Sequence, residues 1–110
     1  MALTGPTTKG TKETFFLLFK YTEKGIRDVK KQSARVKRAS SLIGAAGAEC
    51  RFYLTVAGPY DMISVVSGIS DEGLARAVLA INSGGTVQTT VVKSLQFSSS
   101  EYTKFLGGLP

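Results

Sequence analysis

The sequence predicts an α+β fold, with a single four-stranded sheet carrying two helices on one face. Three observations predict it. Segments of strand character and segments of helical period alternate in the order strand, helix, strand, strand, helix, strand. The middle pair of strands is joined by a tight Ala57-Gly58-Pro59 turn, so strand, turn and strand run without interruption from Ala48 to Val66. Two of the strands are apolar on both parities, so each face of the sheet must be covered by something.

Taken in order, residues 1–13 are rich in Thr, Gly and Lys and read as a flexible lead-in, leaving 14–110 as the single domain. Phe15 to Tyr21 forms the first strand. Phe15, Leu17, Phe19 and Tyr21 lie on one parity, with Phe16 and Leu18 on the other. Thr22 is a good N-cap, followed by Glu23 in the positive first turn. Ile26, Val29, Ser33, Val36, Ser40 and Ile43 then fall at spacings of three and four, the stripe of one continuous helix ending at Gly44–Gly47. Gly47 is its left-handed C-cap.

The second strand alternates: Cys50, Phe52, Leu54 and Val56 face one way, Glu49, Arg51, Tyr53 and Thr55 the other. Met62 to Val66 is the third strand. Ser70-Asp71-Glu72 is a helix start, and Leu74, Val78 and Ile81, with Ala75 and Leu79 beside them, make a short apolar helix closed at Gly84-Gly85. The Val- and Thr-rich run from Thr86 to Phe97 is the fourth strand, and Ser98 to Glu101 caps a short C-terminal helix. This order is the ferredoxin-like βαββαβ arrangement. Its two helices cover one sheet face. Strand one is apolar on both sides, and strand three carries Met62 and Val66 on one face and Ile63 and Val65 on the other, so the second face calls for another copy of the chain laid sheet against sheet.

Composition narrows the chemistry. The chain has 110 residues and is 43% hydrophobic, enough for one domain with a real core. It has no apolar run of membrane-spanning length and no signal-peptide pattern at its start, and its one cysteine cannot staple the fold; the expectation is a cytoplasmic protein. No histidine is present, which removes histidine triads and, with one cysteine, thiolate zinc sites; neither a cofactor nor a metal is expected. The net charge is +6, and seven of the fourteen basic residues lie between Lys24 and Arg38.

Several segments together resemble a known family. Lys20-Tyr-Thr-Glu-Lys-Gly-Ile26, Phe52-Tyr-Leu-Thr-Val56 and Gly58-Pro-Tyr-Asp61 look like the GYD-domain family, which is named for the glycine, tyrosine and aspartate at its hairpin. Ser70-Asp-Glu72 and Val87-Gln-Thr-Thr90 agree with it in order and spacing, so the resemblance runs from about Phe16 to Leu106. One departure is Pro59, inserted between the glycine and the tyrosine. The resemblance implies a fold similar to the dimeric α+β barrels, whose members include cofactor-free monooxygenases and proteins that only bind small ligands. It implies no particular reaction.

Candidate sites follow from these placements. Asp61 with Tyr60 beside it reads either as a general base at the mouth of a barrel or as a turn aspartate satisfying backbone N–H groups; the second reading weighs more. Arg51 and Tyr53 share the face that a dimer would enclose, where they would hold an anionic or aromatic ligand or form the rim of the interface. Tyr21, with Lys20, ends the first strand and would join the same pocket or anchor the helix. The basic segment reads as a solvated helix face, and no nucleic-acid motif accompanies it. The expected function is that of a homodimer, or a higher even-numbered oligomer, binding a small molecule or carrying out a cofactor-free reaction in a pocket between helices and sheet. The alternatives are an assembly protein without catalysis and a polyanion binder using the first helix.

Overall fold

The computed structural model describes residues 12–110, so the lead-in expected over the first thirteen positions falls almost wholly outside the described residues. Strand β1 (Lys12–Tyr21) starts two residues earlier than Thr14, the residue that composition suggested. It is the centre of the fold. It pairs antiparallel with β3 (Met62–Ser67) on one side and with β4 (Val87–Gln96) on the other, and β2 (Glu49–Leu54) lies outside β3, giving the order β2-β3-β1-β4. The register places Leu17 opposite Ser64 and Val91, and Leu18 opposite Ile63 and Thr90. Because side chains alternate along a strand, these pairings sort the sheet into two faces.

On the first face Phe15, Leu17 and Phe19 of β1 and Val66 of β3 are almost completely buried. Helix α2 (Gln32–Ala45) contributes Ala39 and Ile43 to this core, and α3 (Asp71–Asn82) contributes Leu74, Ala77 and Ile81. Three helices are capped at their N-termini by side chains: Thr22 accepts from the Gly25 N–H, Ser70 from Gly73 and Ser98 from Glu101. Helix α4 (Ser99–Gly107) closes its start with a reciprocal capping box, Glu101 accepting from the Ser98 N–H at 2.8 Å. Gly47 and Gly85 adopt positive φ of 85° and 73° in the turns that end α2 and precede β4.

The structure corrects the single long first helix. It is divided into α1 (Glu23–Arg27), a 3₁₀ turn at Val29–Lys31, and α2. The start is pinned to the segment before β4: the Thr22 N–H donates to Thr86 O at 3.0 Å and its hydroxyl to Gly85 O at 2.6 Å. Gly25 lies so close to that segment that a Cβ would stand 2.0 Å from Thr86 O. The far end is fixed by Ala39 and Ile43 against the sheet, and the turn between absorbs the mismatch. Ile26 and Val29, which the stripe assigned to the core, are therefore exposed at 55% and 44%.

Strand β2 also ends sooner than its alternation suggested. Leu54 and Val56 are exposed, and a loop over 55–61 replaces the tight turn. Gly58 has φ 108°, the one point in that loop that requires glycine. In α3 the buried positions are Leu74, Ala77 and Ile81, with Leu79 turned outward. Among the described residues no helix is long and apolar enough to cross a membrane.

Candidate functional site

Two concave regions lie on opposite faces of the sheet. The first, about 440 Å³, opens between the N-terminal half of α2 and the sheet. Its floor is apolar: Phe19 and Phe52 stack with ring centroids 6.4 Å apart, and Met62, Ile81 and Val87 extend the surface. Its rim is cationic. Lys24, Lys31, Arg35 and Arg38 line it with Asp28 as the one carboxylate. Three of these cations are held by backbone carbonyls: Lys24 donates to Gly84 O at 3.2 Å, Arg35 to Gly25 O at 3.2 Å and Arg38 to Ala80 O at 3.3 Å. Carbonyl partners fix the position of a cation and leave its charge uncancelled. Arg35 also lies 3.7 Å from Asp28.

The second region is a groove of about 960 Å³ on the uncovered face, where Phe16 and Val65 form the base and Glu49, Arg51 and Tyr53 the β2 side. Phe16, Leu18, Ile63 and Val65 are only half-buried there, Tyr53 is 49% exposed and Val92 is 44% exposed. No element of the described chain crosses this face.

A third feature stands where β1 ends. The Asp61 carboxylate accepts the Tyr21 N–H at 2.7 Å, and the Asp61 N–H donates to Phe19 O at 2.8 Å. The Thr55 hydroxyl donates to Tyr60 O, and Lys20 donates to Pro59 O at 3.3 Å, which closes the loop over β1. The Asp61 carboxylate and N–H are thus both engaged by the backbone at the end of β1, which ties the loop over 55–61 to that strand rather than satisfying N–H groups of the hairpin turn itself. The Tyr21 phenol is pushed above its ordinary value of 10.0, first by burial and then by the Asp61 carboxylate, while Arg35 pulls the other way.

The structure separates the residues that the sequence grouped. Tyr21 lies on the helix-covered parity and does not join Arg51 and Tyr53, which line the open groove. None of Tyr21, Arg51, Tyr53, Tyr60 and Asp61 lines the cavity between helices and sheet. The residues that do were read as helix surface and core. Spacing alone does not single them out: 24, 27, 31, 35 and 38 recur at three and four, a pattern that would include Arg27, which does not line the cavity.

Residues 15–106 match the family model described as the GYD domain. No curated protein matches the chain. Among solved structures, a dimeric ferredoxin-like protein of unknown function from Thermobifida fusca YX superposes with a TM-score of 0.55 at 21% identity, over 84% of this chain and 97% of that one. At that identity the likeness is one of fold. The designed protein Ferredog-Diesel matches with a TM-score of 0.48 at 11% identity, over 80% of this chain and 90% of that one. A protein of Shewanella loihica PV-4, provisionally assigned as a monooxygenase, matches with a TM-score of 0.49 at 10% identity, over 81% and 94%.

Proposed function

The chain belongs to the GYD domain family, and from that premise we propose that it is a homodimeric small-molecule-binding protein, each copy holding its ligand between α2 and the sheet. The observation that carries the binding reading is the cavity of about 440 Å³ over the stacked Phe19 and Phe52 rings. Ligand sites are commonly concave, apolar and equipped with a few placed polar groups, and this cavity has that make-up. The pairing reading rests on the other face. Phe16, Leu18, Ile63 and Val65 stand half-buried in a row across two adjacent strands, and completing their burial against a second copy favours association by on the order of 1 kcal/mol for each residue. The Thermobifida fusca protein of similar fold is itself described as dimeric, which agrees with this reading.

Binding is preferred over proton-transfer chemistry because Asp61, the carboxylate best placed in the sequence for such a role, is engaged by backbone N–H of β1. An assembly role is the second reading, favoured by the extent of the apolar open face. Native mass spectrometry of the freshly purified protein separates the two. A dimer with a small retained mass supports the binding reading, and an empty oligomer that takes up no small molecule supports the assembly role. A monomer at micromolar concentration defeats the pairing.

A further inference from the structure

We infer that the helix–sheet cavity takes a small amphipathic carboxylate, its head group among Lys31, Arg35 and Arg38 and its apolar body against Phe52 and Val36. This rests on the small-molecule reading above and specifies the ligand class. Three features of the cavity carry it together.

The first is charge. Four cations meet a single carboxylate, Asp28, around one opening. Asp28 stands 3.7 Å from Arg35, beyond hydrogen-bond reach, so it tempers that guanidinium without occupying its donors. No other acidic residue lines the opening, which leaves an uncompensated positive field focused over a low-dielectric floor.

The second is preorganisation. Arg35 gives Nη1 to Gly25 O and, at 3.4 Å, to Gln32 Oε1, and Arg38 gives Nη1 to Ala80 O, so each guanidinium is anchored through one nitrogen, with N–H donors on the others remaining. A planar carboxylate is the natural partner for such donors. The Lys31 N–H donates to Asp28 O at 2.9 Å, but its ammonium has no hydrogen bond or ion pair among the described residues and is available to the same oxygen atoms.

The third is the floor. Phe52 and Val36 are half-buried and reachable, while Phe19 and Met62 close the deeper end. An inorganic anion would leave this apolar surface unused. An uncharged hydrocarbon would leave the cations facing nothing. A molecule with one anionic end and a short apolar body meets both. The basic residues that do not line the cavity, Arg27, Lys30 and Lys37, have no part in this site, which sets it apart from general attraction to polyanions.

Titration calorimetry of the full chain with octanoate, octan-1-ol and octylamine tests this class. Octanoate is expected to bind at least about tenfold more tightly than octan-1-ol, as for loss of a charge-assisted contact, and octylamine to give no heat of binding. Lys31→Gln should weaken octanoate by about tenfold and leave octan-1-ol unchanged, whereas Phe52→Ala should weaken both. The Lys31 side chain is exposed and makes no hydrogen bond or ion pair among the described residues, so Lys31→Gln is expected to keep the fold; Arg38→Gln provides an independent check from α2. Equal binding of octanoate and octan-1-ol would overturn the carboxylate assignment and leave the small-molecule reading standing. Heat with none of the three, from protein that circular dichroism shows to be folded, would overturn both. Octanoate binding that is lost in Lys30→Gln/Lys37→Gln and kept in Lys31→Gln would also overturn the assignment, since it would place the anion on the outer helix surface.

Discussion

Phe15, Leu17 and Phe19 are roofed by α2 and α3, whereas Phe16 and Leu18, one residue out of phase on the same strand, have no helix over them among the described residues and stay half-buried. The composition of the two rows is nearly the same; their surroundings are not. The roofed face closes into a core and leaves a cavity where residues of α1, the 3₁₀ turn and the first half of α2 face the sheet. The open face keeps its apolar row half-exposed and edges it with Glu49, Arg51 and Tyr53. The difference teaches that a strand with two apolar parities carries two separate demands for burial: one is met by α2 and α3, and the other is what the proposed pairing would meet.

The most severe test compares neighbours on β1. Leu17 is 0% exposed, and Leu17→Ala should destabilise the protein by about 4 kcal/mol, a loss of transfer energy plus a cavity in a core that cannot fully collapse. Leu18→Ala should cost less, and under the proposed pairing its cost should grow with protein concentration, since the contact it would weaken is one between copies. Urea unfolding at two protein concentrations reads both effects. Equal, concentration-independent losses at the two positions would remove the distinction between the faces.

Next in size is a charge placed in the open row. Val65 lies opposite Phe16 on one side and Arg51 on the other. Val65→Lys should weaken association by about 100-fold, close to 2.7 kcal/mol, while far-ultraviolet circular dichroism remains that of the parent. Sedimentation velocity gives the answer, and a variant that still sediments as a dimer would show that pairing uses some other surface.

The sequence announced what is local and hid what is distant. The parity of β1 and β3, the caps at Thr22, Ser70 and Ser98, and the glycine turn at Gly47 each depend on residues within a few positions, and all are found where period and residue type place them. The break in the first helix was not legible, because it follows from the approach of Gly25 to Thr86, a contact between segments far apart in the chain. The same holds for the cavity. Phe19 and Phe52 read as core, and Arg35 and Arg38 as solvated surface; both descriptions are locally sound. Only the way α2 lies over the sheet brings them to one opening. Asp61 shows the opposite case, a conspicuous carboxylate in a family motif whose oxygen atoms serve a backbone.

A smaller effect compares two serines of β3 on opposite faces. Ser64 is 0% exposed on the roofed face, and its hydroxyl has no hydrogen-bond partner among the described residues. Ser64→Ala should therefore stabilise the fold by about 1 kcal/mol, since a desolvated hydroxyl without a partner is removed with little change in volume. Ser67, half-buried on the open face, should tolerate alanine without a measurable change. Thermal unfolding of the pair checks this, and a destabilised Ser64→Ala would reveal a partner for the hydroxyl.

The finest test of the comparison is electrostatic, at the edge where the roofed face meets the cavity rim. Burial and the Asp61 carboxylate raise the Tyr21 phenol above 10.0, and Arg35 opposes them. A raised value means that the folded state keeps this proton to higher pH than the unfolded chain does. The stability linked to Tyr21 is thus complete below pH 10 and is lost as pH rises from there through the raised folded value. Asp61→Asn keeps an oxygen acceptor for the Tyr21 N–H and removes the charge, so it should bring tyrosinate absorbance at 295 nm in at lower pH than in the parent. Arg35→Gln removes the opposing cation and should delay it. Titration curves that superimpose for all three proteins would mean that Tyr21 is insulated from both charges. Shifts of opposite sign would instead tie the end of β1 to the same guanidinium that lines the cavity. An anion bound at Arg35 would then be expected to raise the Tyr21 phenol further, giving ligand binding an optical readout on the roofed face that the open face lacks.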